Sequence, residues 1–390
     1  MILAACTLLA ALIYTTLIVI FFVGWKRLSL VDQHRDAPVF LSVVVAARDA
    51  EKHIRKLLQA LATQDFSEGR FEVILVDDYS EDGTAEVVAA FIKAHADPAT
   101  TLGQDARKPS CRPDFRLVSA RDHGCRPGKK QALALGISQA SGEVIVTTDA
   151  DCLPPPRWLK RMSACFADPG VAMVLGPLRI RGTGLFGGMQ ELEYLSLMGI
   201  TGGAAGLGHP VMCNGANLAF RKASYLEAGG YEKHKWYASG DDVFLMHDIK
   251  KQGVGGIRFI KDHSVVVETE ASTGLRPFFR QRGRWAGKAG GYTDFFTLFV
   301  GGVVAGFNAI LFAALVWVIL SRGLPWSGNA LWLVGLAAGL KFLADFLLVS
   351  EVARFFGMER RLWLFPLVFL LYPLYVLGAL AVGILRRNKW

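Results

Sequence analysis

Six aspartates fall into three short clusters whose residue types suit the handling of a diphosphate and a proton. The clusters are Asp77-Asp78, Asp149-Ala150-Asp151 and Asp241-Asp242. Two carboxylates that flank one small residue can bind Mg²⁺ or Mn²⁺ and leave coordination positions for diphosphate oxygens. A lone Asp-x-Asp is more often a solvated turn, so the position of the pair in the fold has to decide. Asp149 and Asp151 directly follow the apolar run EVIVTT, which favours a metal site.

The other two clusters suit a nucleotide and a general base. Asp77 and Asp78 follow the run FEVILV and could accept hydrogen bonds from a nucleobase or a ribose. The alternative is an Asx turn or a helix cap, a role that Asp82 fits better. Asp242 opens a helical run, and we assign it as the base that takes a proton from an acceptor hydroxyl, with Asp241 as its support. Two adjacent acids exceed what capping a helix needs.

Cationic and aromatic residues complete the candidate set. Lys129 follows a glycine at a predicted helix start, where an anionic phosphate is favoured. In the stretch QRGRW (281–285), Arg284 could clamp a diphosphate, while Gln281 and Trp285 could bind an acceptor sugar. An amphipathic helix at the membrane surface with snorkelling basic side chains is the alternative for this stretch. The two interpretations are compatible, because such a helix can hold a site against the membrane.

Alternating strand-like and helix-like segments predict an α/β fold with a largely parallel sheet. Strands are predicted at 39–46, 71–76, 115–119 and 143–148, and helices at 50–61, 84–94 and 129–139. Ligands of such sheets bind at the carboxyl ends of the strands, where two of the aspartate clusters fall. A helix-like stretch at 189–198 is flanked by glycine-rich segments.

Four apolar stretches are long enough to cross a membrane: 2–23, 300–320, 330–350 and 362–385. We interpret the first as a signal-anchor with its N-terminus outside, because Lys26 and Arg27 follow it. Four spans would then leave the basic C-terminal residues outside, so either one span is re-entrant or the positive-inside rule fails. Lys341 and Asp345 lie four residues apart in the third stretch, which indicates a structural ion pair.

Composition narrows the partners of this 390-residue chain. Its net charge is +9, and its most basic run directly precedes an apolar stretch, which favours anionic lipids or diphosphates over nucleic acid. The six cysteines form no CxxC pair, which indicates free thiols in a reducing compartment.

Taken in order, these motifs resemble the membrane-bound glycosyltransferases of family 2, the group that includes cellulose, chitin and hyaluronan synthases. The segments that carry the resemblance are VVVAARDAE (43–51), ILVDDYSEDGT (74–84), GKKQALALGISQASGEVIVTTDAD (128–151), NGANLAFRKASYLEAGGY (214–231), SGDDVFL (239–245) and QRGRW (281–285). The resemblance implies a GT-A fold, an inverting mechanism, a UDP-sugar donor and Mg²⁺ or Mn²⁺.

The residue patterns and the resemblance together give the expected roles of single residues. The nucleotide and donor would be bound by Ala47, Asp49, Asp77, Asp78, Lys129, Asp149 and Arg284. The metal would be held by Asp149 and Asp151, and catalysis would fall to Asp242 and Asp241. The acceptor would be bound by Asn217, Gln281 and Trp285.

The expected organisation is a signal-anchor at 1–25, a cytoplasmic GT-A domain at 37–270, an interfacial segment at 271–295 and about three spans at 298–388. The expected function is sugar transfer to a growing polysaccharide at the bacterial inner membrane, with membrane lipids and other polysaccharide export subunits as further partners. The chain has fewer predicted spans than the familiar polymer-secreting synthases. Transfer of a single sugar to a lipid, or a non-enzymatic subunit that binds a nucleotide-sugar, are therefore the alternatives.

Overall fold

The computed structural model describes residues 2–28, 39–66, 71–96, 113–234, 237, 240–320 and 327–385. The chain divides into two compact units. The sheet unit comprises Ser29–Arg179 and Cys213–Glu270, and the helical unit comprises Met1–Leu28, Ile180–Met212 and Ala271–Trp390. The predicted catalytic domain at 37–270 includes the segment Ile180–Met212, which belongs to the helical unit.

Seven strands form the sheet of the sheet unit in the order β3-β2-β1-β4-β7-β5-β8. They are β1 (Leu41–Ala47), β2 (Phe71–Asp77), β3 (Asp114–Ser119), β4 (Val144–Thr147), β5 (Val171–Leu175), β7 (Leu218–Arg221) and β8 (Gly256–Phe259). The predicted parallel half is confirmed, because β3, β2, β1 and β4 all pair in parallel. Their carboxyl ends consequently meet at one edge.

The central strands are buried along nearly their whole length, which explains why their sequences read as continuous Val, Ile and Leu runs. Strand β7 pairs with β4 antiparallel, with Leu218 opposite Thr147. The start of β7 therefore lies at the edge where β4 ends, and this reversal brings residues 214–217 close to the Asp149 turn. The remaining strands are β6 (Leu178–Arg181) and β9 (Val267–Glu270).

The sheet unit contains six α-helices among the described residues. They are α2 (Glu51–Ala62), α3 (Thr84–Ala96), α4 (Lys129–Gln139), α5 (Trp158–Ala164), α7 (Lys222–Glu227) and α8 (Asp241–Gln252). The sequence predicts α2, α3, α4 and α8, but not α5 and α7. Helix α4 begins and ends at the residues that the sequence predicts.

The helical unit contains α1 (Ile2–Arg27), α6 (Gly184–Gly206), α9 (Leu275–Gly287), α10 (Phe295–Leu320), α11 (Ser327–Phe356) and α12 (Phe365–Leu385). Among the described residues, four segments are long and apolar enough to cross a membrane: Ala4–Arg27, Phe295–Leu320, Leu331–Phe356 and Glu359–Leu385. These match the four predicted stretches.

Helix α6 is longer than predicted, because its glycine-rich ends are helical and serve close packing. A side-chain carbon at Gly24 of α1 would lie 2.1 Å from the carbonyl oxygen of Gly203 in α6. Gly202 and Gly206 likewise approach Trp25 and Gly24. Small residues that let two helix backbones approach are typical of helix pairs in membranes. The glycines that flank the predicted helical stretch thus mark a helix–helix contact.

Candidate functional site

Lys129 is the centre of the polar group in the sheet unit. Its ammonium forms an ion pair with Asp149 at the start of α4. Burial alone would lower the pKa of Lys129, but the carboxylates of Asp149, Asp241 and Asp242 outweigh it and raise the pKa. Two of the predicted aspartate clusters, more than 90 residues apart in sequence, therefore lie around one lysine.

Asp149 and Asp151 lie in the turn that follows β4, and they offer oxygen ligands at short separation. One ligand atom each from Asp149, Asp151 and Cys152 lies within 4.8 Å of the other two. Burial first, and then the two carboxylates, raise the pKa of the Cys152 thiol. A thiol is a soft ligand that hard cations do not prefer. The two carboxylates form a hard oxygen donor set of the kind that Mg²⁺ and Mn²⁺ prefer, so the residues fit the expected metal.

The electrostatics of Asp151 support this fit. Desolvation and the neighbouring Asp149 carboxylate raise the pKa of Asp151. A divalent cation between the two groups would replace that repulsion by attraction and favour both carboxylates in their charged form.

Asp78 and Asp77 differ in their surroundings. Asp78 is buried, and its Oδ1 accepts a hydrogen bond from the Gly128 N–H at 2.8 Å, which ties the end of β2 to the start of α4. Burial outweighs this hydrogen bond and raises the pKa of Asp78. Asp77 Oδ1 is buried without a hydrogen-bond partner among the described residues. Buried carboxylate oxygens are normally satisfied, so a ligand donor such as a nucleobase N–H could complete Asp77.

The two remaining donor-site candidates, Ala47 and Asp49, lie at the end of β1 and in the loop that follows it. Ala47 ends β1, and its carbonyl accepts from the Asp78 N–H at 2.8 Å. Asp49 has a positive φ of 50° and is exposed, while its Oδ1 accepts from the Glu81 N–H at 2.9 Å. The carboxylate of Asp49 thus fixes the loops after β1 and β2 to each other, at the edge where the aspartate clusters lie.

Asp242 is positioned by the segment that precedes β7. Its Oδ2 accepts a hydrogen bond from the Gly215 N–H at 3.0 Å, and the Gly215 carbonyl accepts from Thr147 Oγ1 of β4 at 2.7 Å. Gly240 precedes α8 with φ of 92°, a conformation that suits glycine and lets the chain turn into the helix. Asp241, beside Asp242, is buried.

Asn217 has a structural environment that does not suit its predicted role as an acceptor ligand. It is fully buried, and its amide nitrogen donates to the carbonyls of Pro177 and Val265 at 2.7 and 2.8 Å. Its Oδ1 accepts from the indole of Trp158 at 2.9 Å. Both amide hydrogens are used, so we leave Asn217 out of the acceptor site that we propose.

The QRGRW residues lie on α9, in the helical unit. Arg284 is exposed, whereas Gln281 and Trp285 are half-buried. Arg282, which the sequence analysis did not single out, is fully buried. Its guanidinium forms an ion pair with Glu193 of α6 at 2.5 Å. Burial alone would lower the pKa of Arg282, but Glu193 raises it, so the pair is charged.

Arg282 also contacts two of the predicted acceptor residues. Its Nη1 donates to Gln281 Oε1 at 2.6 Å, and the guanidinium carbon lies 4.2 Å from the centre of the Trp285 ring. A signal was present in the sequence: Phe278 and Arg282 are four apart and share a helix face. The partner Glu193 could not be found from the sequence, because it lies 89 residues away.

The predicted ion pair between Lys341 and Asp345 is confirmed. The two side chains are in contact on α11, and Lys341 is fully buried. The Tyr14 hydroxyl of α1 donates to the other oxygen of Asp345 at 2.7 Å. The pair thus joins two of the apolar helices.

Comparison with known proteins identifies the class. The sequence profile of Glycosyl transferase family 2 matches residues 42–229, and that of Glycosyl transferase family group 2 matches residues 144–384. The chain belongs to glycosyltransferase family 2. The chain is therefore a member of a family of enzymes that transfer sugars.

The fold is similar to that of a solved structure over nearly the whole chain. The mannosyltransferase PcManGT of Pyrobaculum calidifontis, solved in complex with GDP-Man and Mn²⁺, superimposes with a TM-score of 0.65 and 19% identity over 99% of this chain and 100% of its own. This similarity of fold, together with the family match, confirms the predicted GT-A fold.

Two relatives differ in the products that their names state. The poly-beta-1,6-N-acetyl-D-glucosamine synthase of Staphylococcus epidermidis is 27% identical over 53% of this chain and 46% of its own length. The beta-monoglucosyldiacylglycerol synthase of Synechocystis is 29% identical over 36% of this chain and 24% of its own length. The chain thus spans about half or less of the length of these relatives.

Proposed function

We propose that this protein is an inverting, metal-dependent glycosyltransferase that moves a sugar from a nucleotide-sugar, with UDP-sugars as the first candidates, to a hydroxyl group of a growing polysaccharide at the membrane. The observation that carries the proposal is the link from Asp242 through Gly215 to Thr147 at the end of β4, the strand that leads into the Asp149 turn and its ion pair with Lys129. Sugar transfer from a nucleoside diphosphate requires carboxylates that hold a metal ion and a base that accepts a proton. Asp149 and Asp151 are the candidate metal ligands, and Asp242 is the candidate base.

The donor would be bound at the carboxyl edge of the sheet. Asp149 and Asp151 would hold Mg²⁺ or Mn²⁺, which would supply positive charge to the leaving diphosphate. Lys129 would add a second positive charge there, and Arg284 is the further candidate for the diphosphate. Asp77 and Asp78 would bind the nucleoside, Asp77 through its unpaired oxygen.

Asp242 would act as the base. Its carboxylate would take the proton of the acceptor hydroxyl, and the acceptor oxygen would form a bond to the anomeric carbon. The bond from that carbon to the diphosphate oxygen would break on the opposite face, so the configuration at the carbon inverts. The Gly215 N–H, which donates to Asp242 Oδ2, would keep the carboxylate in one orientation before and after the proton moves.

The acceptor has two candidates. A growing polysaccharide is supported by the QRGRW stretch, with Gln281 and Trp285 as acceptor ligands, and by the S. epidermidis relative. A membrane lipid is supported by the Synechocystis relative and by a small, mostly apolar cavity among the long apolar helices. Either acceptor fits a bacterial inner-membrane location with the sheet unit in the cytoplasm, where other export subunits could join it.

The test is nucleotide release by the purified protein in lipid, across UDP- and GDP-sugars with Mg²⁺ or Mn²⁺, with each product resolved by size. Asp242→Asn should keep donor binding and lose turnover. Asp248→Asn, on the same helix, should retain turnover, because Asp248 contacts His234 and has no role in the proposed site. Unchanged turnover in Asp242→Asn would refute the assignment of the base. A high-mass product would identify a polymer synthase, and a lipid with one added sugar would identify the second candidate.

A further inference from the structure

Three consecutive residues at the start of α4 each contact a different part of the sheet unit. The Gly128 N–H donates to Asp78 Oδ1, directly after β2. The Lys129 ammonium forms an ion pair with Asp149, in the turn after β4. The next residue, Lys130, contacts the segment that leads into α8, the helix that bears the candidate base. The function proposed above uses the first two contacts, and the third has no role in it.

Lys130 is buried, and backbone carbonyl groups hold its ammonium. The side chain is only 3% exposed, and its Nζ donates to the carbonyl oxygens of His234 and Tyr237 at 2.8 Å each. A buried ammonium without such acceptors would be costly, so these hydrogen bonds keep the backbone at 234 and 237 close to α4. Lys130 therefore binds protein, in contrast to the partly exposed Lys129, which is the candidate ligand of the diphosphate.

The same two residues pack on α8 through one phenylalanine. Phe244 is buried and lies two residues after Asp242. Its ring stacks on the His234 ring with centres 4.4 Å apart, and its centre lies 5.0 Å from that of the Tyr237 ring. The Lys130 Nζ lies 5.5 Å from the centre of the Phe244 ring, within the range of a cation–π contact. Lys130 thus contacts α8 directly, and a second time through the residues that precede it.

Asp242 keeps its orientation only while α8 stays in place. The hydrogen bond from the Gly215 N–H to Asp242 Oδ2 is 3.0 Å long and connects α8 to the segment before β7. A shift of α8 by about 1 Å would break this hydrogen bond and misplace the carboxylate. Misplacement of a reacting group by that distance can lower a rate by roughly a hundredfold. Whatever fixes α8 is therefore expected to control turnover.

We propose that Lys130 is a positioning residue, which fixes α8 on α4 and so keeps Asp242 in place for proton transfer. The effect on turnover rests on the proposed function, because that function assigns Asp242 as the base. Lys130 touches no substrate in this role and acts only through α8. Donor binding does not depend on it, since Asp78, Lys129 and Asp149 are held by other contacts.

Hydrogen–deuterium exchange tests the positioning itself and needs no substrate. The full-length Lys130→Met protein in lipid nanodiscs is compared with wild type and with Lys222→Met. Lys222 is a matched control: its Nζ also donates to a backbone carbonyl, that of Ala140 at 2.6 Å, but it follows β7 at the edge where β4 begins. Faster exchange of the α8 amides is expected for Lys130→Met alone. Equal exchange in α8 for Lys130→Met and wild type would overturn the positioning role.

Turnover and nucleotide affinity separate this role from a general loss of structure. Lys130→Met should lower nucleotide release by roughly ten- to a hundredfold, because the base is misplaced. Its affinity for UDP and GDP with Mn²⁺, measured by calorimetric titration, should equal that of wild type. Lys222→Met should match wild type in both measurements, and Lys130→Arg should recover part of the turnover, because a guanidinium can donate to the same carbonyls. Loss of nucleotide affinity together with turnover in Lys130→Met would overturn the proposal.

A double variant tests the route through Phe244. Lys130→Met combined with Phe244→Leu should lose no more turnover than the more damaging single variant, because both changes loosen the same contact with α8. Losses that multiply would overturn this route. Faster exchange in α8 with normal turnover would overturn the effect of Lys130 on catalysis. A wild-type protein that releases no nucleotide from any donor would instead overturn the proposed function, and the exchange experiment would still decide whether Lys130 holds α8.

Discussion

At the scale of single residues, the site depends on carboxylates whose charge is offset by a neighbouring cation. Lys129 offsets Asp149 in the sheet unit, and Arg282 offsets Glu193 in the helical unit. The first pair is partly exposed and free to rearrange when a metal binds. The second is buried, so it holds α6 and α9 together and cannot be exposed without loss of stability.

Removing one proposed metal ligand should weaken donor binding in the presence of the metal. Asp151→Asn should weaken donor affinity in Mn²⁺ by roughly tenfold or more, because ligand changes at metal sites cost at least this much. Asp114→Asn is the control, since Asp114 is exposed at the opposite, amino end of β3. Calorimetric titration of a UDP-sugar with and without Mn²⁺ measures the effect. Equal affinity of Asp151→Asn and wild type would argue against a metal at this pair.

Substitution of the two arginines of QRGRW should affect different properties, stability for Arg282 and turnover for Arg284. Arg282→Met leaves Glu193 buried without its cation and should lower the free energy of unfolding by about 3–5 kcal/mol. Arg284→Met, at an exposed position, should change stability by about 0.5 kcal/mol or less but reduce turnover, because Arg284 is the proposed diphosphate ligand. Thermal unfolding in detergent and nucleotide release measure the two effects. Glu193→Gln should recover part of the stability lost in Arg282→Met, and failure to do so would contradict the ion-pair explanation.

At the scale of secondary structure, the contact between α1 and α6 depends on glycine. Gly24→Ala should disrupt it, because the new carbon would lie 2.1 Å from the Gly203 carbonyl oxygen. Gly302→Ala on α10 is the matched control, with no other atom within 4 Å of the added carbon. It should be neutral or stabilise by up to about 1 kcal/mol, since alanine favours helices. A lower melting temperature is expected for Gly24→Ala alone, and equal melting temperatures would contradict the packing argument.

The elements also explain how far the sequence could predict the fold. Strands β1, β2 and β4 are short, buried and followed by aspartates. Their apolar runs and their carboxyl ends could therefore be predicted from neighbouring residues in the sequence. Helix α6 could not, because its glycines favour turns unless another helix backbone packs against them. The structural role of Asn217 was hidden for a similar reason: its partners Pro177 and Val265 are distant in sequence. Local patterns therefore predicted the aspartate clusters, and tertiary contacts decided the rest.

At the scale of the whole molecule, the arrangement of α12 bears on how many helices cross the membrane. Helix α12 is 21 residues long, about 31 Å at 1.5 Å per residue, and is long enough to cross. It packs beside α9, however, with Gly378 against Phe279 and Val382 against Gly283. The offset is 99 residues at both contacts, so the two helices run side by side in the same direction.

Helix α9 cannot lie in hydrocarbon, because Arg276, Arg280 and Arg284 are exposed on it. The second half of α12 should consequently stay near the headgroups with α9, leaving three crossings by α1, α10 and α11. This arrangement removes the conflict with the positive-inside rule, since the basic residues Arg386, Arg387 and Lys389, which lie outside the described residues, would be on the same side as Lys26 and Arg27.

Reporter fusions in a bacterial host test this topology. Separate fusions place either alkaline phosphatase or green fluorescent protein at one of three positions. These are the C-terminus, a point within 321–326 and a point within 97–112 of the sheet unit. The C-terminal reporter should report the same side as the one in the sheet unit, and the reporter within 321–326 the opposite side. Agreement between the C-terminal reporter and the one within 321–326 would instead mean that α12 crosses. The basic C-terminal residues would then lie outside the cell against the charge rule, and the contact with α9 would require α9 to enter the bilayer with its arginines shielded.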